Sequence, residues 1–173
     1  MDIGDIFFWT ATINSWFHLL KEDHYKKIIT DSLAVLSERK NIDVFAFTIM
    51  PSHIHLIWRI NSLNGKETPQ GSFLKYTAHE FKKLLKVSDP PGLAKYAVNA
   101  SNKKYEFWQR DPLAIQLYNK QIAFQKLNYI HANPISKGWQ LVNDPCNYRY
   151  SSARFYELNE TEFNFLKDLR LEY

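Results

Sequence analysis

The chain has 173 residues, 45% apolar and 23% charged, the balance of a globular domain long enough to bury a single core, so one domain is expected over residues 1–173. Lysine and arginine outnumber aspartate and glutamate by 22 to 18, a net charge of +4, which favours polyanionic partners without singling one out. One cysteine, Cys146, excludes an internal disulfide and a cysteine-rich zinc site; no apolar run approaches the roughly 18 residues of a membrane span, and the acidic start, with Asp2 and Asp5, is unlike a secretory leader, so a cytoplasmic protein is expected.

Residues 6–13, rich in aromatic and β-branched side chains, predict a first strand. Residues 22–40 place Tyr25, Ile28, Ile29, Leu33 and Leu36 at helical spacing among charges. A second strand over 42–50, a turn at Met50-Pro51-Ser52 and a third strand over 53–60 make an antiparallel hairpin, because proline suits the turn and not a central ladder. Two segments bearing glycine and proline, 61–71 and 88–92, read as loops. A second amphipathic helix is expected over 68–86, with Phe73, Tyr76, Phe81, Leu84 and Leu85 set against Lys75, Lys82, Lys83 and Lys86. A fourth strand over 112–118 follows, and Asn119 caps a third helix that runs to about Asn133, where Pro134 and Gly138 stop it. This order describes an α+β domain, an antiparallel sheet covered by helices in the ferredoxin-like split βαβ arrangement.

His53-Ile54-His55 opens the third strand. Alternation puts both imidazoles on one face, about 7 Å apart along the chain, where they can converge on one divalent ion. Six histidines produce such a spacing by chance often enough that it carries little weight alone. On the third helix a stripe of Ala123, Leu127, Ile130 and Pro134 faces the sheet, and Tyr129 lies about 120° from its middle. Its helical neighbours are Gln125, Lys126 and Asn133. Tyr129 therefore reads either as a ring resting on the core edge with its hydroxyl in water or as a nucleophile, with Asn133 offering an amide oxygen to a metal. For polyanion contacts the candidates are Lys75, Lys82, Lys83, Lys86, Lys103, Lys104, Arg110 and Arg149, with Tyr105, Phe107 and Trp108 interleaved near the middle group. The helix lysines also read as a plain solvated face.

The run Met50-Pro51-Ser52-His53-Ile54-His55-Leu56-Ile57 resembles the MPNHVHL-type signature of the HUH nucleases. Residues 129–139, from Tyr129 through Asn133-Pro134 to Gly138-Trp139, resemble the YIxxNPVxxG segment of the REP-associated tyrosine transposases. Phe107-Trp108-Gln109-Arg110 and Tyr148-Arg149-Tyr150-Ser151-Ser152 are further matches in the family's order. Ser52 stands where the family more usually has asparagine. The resemblance implies His53 and His55 as metal ligands, Tyr129 as the nucleophile, Asn133 as a polar third ligand, and Mg or Mn as the cofactor. It also implies single-stranded or hairpin DNA as partner, cleaved and rejoined through a 5′-phosphotyrosine, with no nucleotide cofactor. Asn133 can equally serve only to end the helix.

A tyrosine's ordinary pKa near 10 calls for activation, by the metal or by Lys126. Three other readings compete. A histidine-triad hydrolase needs a third alternating histidine, and position 57 is Ile57. A transposase-derived DNA-binding module without catalysis, and a metal-free domain whose histidines only cap a strand, stay open. The aromatic surface permits a homodimer without requiring one.

Overall fold

The computed structural model describes residues 1–100 and 104–173. Strands β1 (Ile6–Thr12), β2 (Ile42–Ile49), β3 (His53–Ile60) and β4 (Leu113–Gln116) form one antiparallel sheet in the order β2-β3-β1-β4. Helix α1 (Asp23–Glu38) links β1 to β2 with β3 inserted between them, and α2 (Pro69–Ser88) leads from β3 towards β4 with β1 between. This interleaving is the ferredoxin-like split βαβ arrangement, and the fold is α+β.

Strand alternation sends two sets of side chains to two cores. Phe7, Trp9 and Ala11 of β1, and Ile13 just after it, join Ile54, Leu56 and Trp58 of β3 beneath α1 and α2, where Trp9 lies 4.9 Å from Trp58 and edge-on to Phe73 of α2. On the opposite face α4 (Lys120–Ala132) lays Ala123, Leu127 and Ile130 over Phe8, Phe45, Ala46 and Ile57. Asn119 caps α4 as expected, accepting from the Ile122 amide at 2.9 Å. With helices on both faces, all of β2 and nearly all of β3 are buried.

Three features differ from the expected elements. The fourth strand is shorter, covering Leu113–Gln116 at a mostly exposed sheet edge. The segment read as a loop at 88–92 turns into a short helix, α3 (Pro90–Ala94), because Asp89 accepts from the Gly92 amide at 3.0 Å and prolines suit a first helical turn. A further short helix, α5 (Ala153–Leu158), follows a stretch that runs along the outer edge of β2. There Ile49 donates to the Tyr150 carbonyl and Ser152 to that of Phe47, each at 2.9 Å, which covers an otherwise open edge. Among the described residues no helix is long and apolar enough to cross a membrane.

Candidate active site

The register of the sheet builds the site. Thr10 of β1 and Thr48 of β2 both stand opposite His55, so the three side chains form a row on the face covered by α4. His53 and His55 are buried on that face with ring centres 4.7 Å apart. Thr10 Oγ1 lies 2.7 Å from Nδ1 of His55, and Ser52 Oγ lies 3.1 Å from Nδ1 of His53. A tautomer that donates Nδ1–H to Thr10 leaves the Nε2 lone pair of His55 free, and that buried atom has no hydrogen-bond partner. Burial pushes the His53 imidazole down to about 4. His55 falls to about 3, through burial first and then repulsion from His53 and Lys126, with the Asn133 side chain acting in the opposite direction. Both rings are therefore neutral near pH 7, the form that coordinates a metal.

Helix α4 brings Tyr129 to the same place. Its side of the helix leaves it 49% exposed, yet its ring lies 5.4 Å from His55 and 5.9 Å from Phe8, edge-on to both. Phe8 in turn stacks on His55 at 5.4 Å. The Lys126 ammonium sits 4.8 Å from the Phe8 ring and 5.6 Å from the Tyr129 ring. Asn133 is buried just past the end of α4, where its Nδ2 donates to the Tyr129 carbonyl at 2.8 Å and leaves Oδ1 for another partner. It both ends the helix and stands beside His55.

The helix is pinned from β2 and from the Ser151-Ser152 stretch. Thr48 Oγ1 donates to the Ile130 carbonyl at 3.0 Å and reaches Ser151 Oγ at 3.1 Å. Ser152 Oγ accepts from the Phe47 amide at 3.0 Å and meets His131 Nε2 at 2.8 Å. These bonds fix the azimuth of α4 and hence where Tyr129 points.

Two neutral imidazoles and an amide oxygen are donor types that a divalent ion accepts. Among the described residues no group of three or more histidine, cysteine, aspartate or glutamate side chains could hold a metal, so two imidazoles and the Asn133 amide oxygen are the donors available here. The unpartnered Nε2 of His55 is the observation that favours such a ligand, since a buried nitrogen without a partner is costly.

Of the proposed polyanion contacts, those on α2 lie away from this site. Phe73 and Phe81 bury α2 in the core on the far face of the sheet, which puts Lys75, Lys82, Lys83 and Lys86 across the sheet from the histidines. Lys75 pairs with Glu67 at 2.6 Å and Lys83 with Glu80 at 3.8 Å; Lys82 and Lys104 flank the Tyr105 ring at 5.5 and 5.7 Å. Arg110 pairs with Glu106 at 3.3 Å, and Arg149 binds Glu162 through two bonds of 2.8 Å. Lys103 lies outside the described residues. Trp108 is corrected outright. It is only 6% exposed, donates Nε1–H to Thr77 Oγ1 at 2.9 Å and packs on Phe73 and Phe81, so its ring completes the core and offers no face to a base; Phe107 is buried beside it.

Sequence reasoning missed Thr10, Thr48, Ser52 and Trp16. The first two enter the site only through the register. Trp16 stands edge-on to His53 at 6.0 Å, and Trp139 meets the same imidazole at 5.7 Å.

No family model matches the chain, and no curated protein matches it. Among solved structures, that of a REP-associated tyrosine transposase bound to a REP hairpin superposes with a TM-score of 0.60 at 16% identity, covering 97% of this chain and 88% of that one. This chain thus shares the fold of that transposase over nearly its whole length. A protein of Deinococcus radiodurans R1 described as a transposase aligns at 15% identity over 72% of this chain and 87% of its own, with a TM-score of 0.43, too loose to add to the comparison.

Proposed function

We propose that the chain is a metal-dependent tyrosine endonuclease and transposase of the HUH type, in the REP-associated branch, acting on single-stranded DNA at hairpin or repeat sequences. The observation that carries this reading is the placement of the Tyr129 ring 5.4 Å from His55, within one chain, beside a buried imidazole nitrogen that lacks a partner. The fold shared with a transposase whose structure holds a REP hairpin supports it, as do the histidine and tyrosine motifs.

His53, His55 and Asn133 would hold a divalent ion, Mg or Mn, which when bound polarises a nonbridging phosphoryl oxygen and orients the linkage. The Tyr129 oxygen attacks the phosphorus from the helix side. A tyrosyl O–P bond forms, the bond from phosphorus to the 3′-oxygen breaks, the phenol proton passes to solvent, and the departing oxygen takes up a proton as a 3′-hydroxyl. The 5′-phosphotyrosine retains the bond energy, so attack by a 3′-hydroxyl restores a linkage without a nucleotide cofactor. Lys126 supplies positive charge next to the phenol and the incoming phosphate, and Thr10 and Ser52 keep the two rings turned towards the reacting group.

The test is an incubation of the protein with labelled DNA hairpins carrying single-stranded flanks, with Mg or Mn. The reading predicts a covalent protein–DNA adduct on denaturing gels that is lost with EDTA and in Tyr129→Phe. Retention of the hairpin without any adduct would favour the DNA-binding module, and an adduct persisting in Tyr129→Phe would refute the nucleophile.

A further inference from the structure

An exposed indole stands at the edge of the candidate site without a packing role that accounts for it. After β1 the chain makes a single turn of 3-10 helix, Asn14–Trp16, in which both Ser15 and Trp16 have a φ of 56°. Left-handed backbone is unfavourable for a bulky side chain, and residues held there cluster where function requires the geometry. The turn is tied down by Trp16 donating to the Ile13 carbonyl at 2.9 Å and Asn14 to that of Phe107 at 2.7 Å. The indole it presents is 58% exposed. It is not free of the site, however, since its edge meets His53 at 6.0 Å. Trp139, half-buried and just beyond the end of α4, approaches the same imidazole at 5.7 Å and is itself braced by His18 at 5.6 Å.

We propose that Trp16, backed by Trp139, forms a nucleobase-stacking subsite on the His53 side of the histidine pair, which takes the unpaired base next to the cleaved linkage. The proposal rests on the single-strand nuclease reading and adds to it a named contact for a base. Tyr129 stands against His55 and Trp16 against His53, so a strand whose phosphate lies over the two imidazoles carries its flanking base out over the indole. An indole offers the largest π-face of any side chain, its stacking tolerates every base, and a side chain with only two rotatable bonds loses little entropy on binding.

The experiment measures equilibrium affinity for a hairpin oligonucleotide with single-stranded flanks in the Tyr129→Phe background, where strand cleavage cannot interfere. Trp16→Ala weakens binding roughly tenfold or more, while Trp16→Phe retains most of the affinity; circular dichroism and melting stay as in the parent because the ring is mostly in water. An abasic nucleotide is then moved along the flank. At the position adjoining the linkage that the wild type cuts, it weakens binding by the parent and has little further effect in Trp16→Ala. Equal affinity of Trp16→Ala and the parent, or abasic losses that are the same in both at every position, would overturn the subsite. Absence of strand cleavage by the wild type, with the abasic pattern intact at one position, would remove the nuclease reading and leave a base-binding surface.

Discussion

Thr10 and His55 face each other across β1 and β3, and the threonine hydroxyl lies 2.7 Å from Nδ1 of the imidazole. A partner on Nδ1 sets the tautomer and the rotation of a ligating histidine, and loss of such partners typically costs 10- to 100-fold in metal affinity. Thr10→Val keeps the shape and removes the bond. Mn titrations by calorimetry, at a temperature where both metal-free proteins are fully folded, should show affinity falling about tenfold or more, and the metal-free variant should melt lower because the buried Nδ1 loses its partner.

Ser152 joins two buried groups, the Phe47 amide and the His131 ring. Ser152→Ala leaves both without that oxygen, a loss of about 2 kcal/mol. In urea this appears as a lower midpoint with an unchanged slope. Because Ser152 also pins α4, the variant should form less covalent adduct even under conditions where it is fully folded.

Acid should destabilise the metal-free protein through its buried imidazoles. Burial holds His131 down at about 4 in the folded chain, against about 6.5 for an unburied histidine. As pH falls below about 6.5 the unfolded state binds the proton first, so stability is fully present above that pH and drains away until the folded ring also titrates near 4. The contribution of His131 over this window is on the order of 3 kcal/mol. Urea unfolding at neutral and mildly acid pH should show a shallower loss in His131→Gln than in the wild type. His53 and His55, whose shifts have the same sign, contribute to the remaining slope, as do carboxylates that the fold holds below their ordinary range, Asp43, Glu67, Glu162 and Asp168.

Much of this site is written in local patterns. The alternation of β3 places His53 and His55 together, the helical stripe of Ala123, Leu127 and Ile130 turns Tyr129 off the buried face, and the turn at Pro51 sets the hairpin. Contacts made through register are not local, and Thr10 and Thr48 become neighbours of His55 only once three strands are aligned. The aromatic residues between β1 and α4 show the opposite failure. Trp108 beside Arg110 resembles a base-reading cluster in the sequence, but burial depends on α2, whose Thr77 supplies the partner for its indole nitrogen. Trp16 went unnoticed for a third reason, since its exposure follows from two consecutive left-handed residues that carry no glycine to mark them. Likewise, α3 hides in a Pro-Pro-Gly stretch whose preceding Asp89 acts as the cap.

The cations divide by face, which makes a paired prediction. Lys126→Ala should slow adduct formation and change its pH dependence, because that ammonium lies 5.6 Å from the Tyr129 ring. The triple substitution of Lys82, Lys83 and Lys86 by alanine, on the far face of the sheet, should leave the rate close to that of the wild type. Equal effects of the two would place the DNA path elsewhere.

The most direct measurement is the site of covalent attachment. After reaction with a hairpin oligonucleotide and Mn, nuclease trimming and tryptic digestion release residues 127–137, a peptide with one tyrosine. The account predicts a nucleotide phosphate mass on this peptide, localised by fragmentation to Tyr129. Attachment to any other residue, or an adduct of equal yield in Tyr129→Phe, would contradict it.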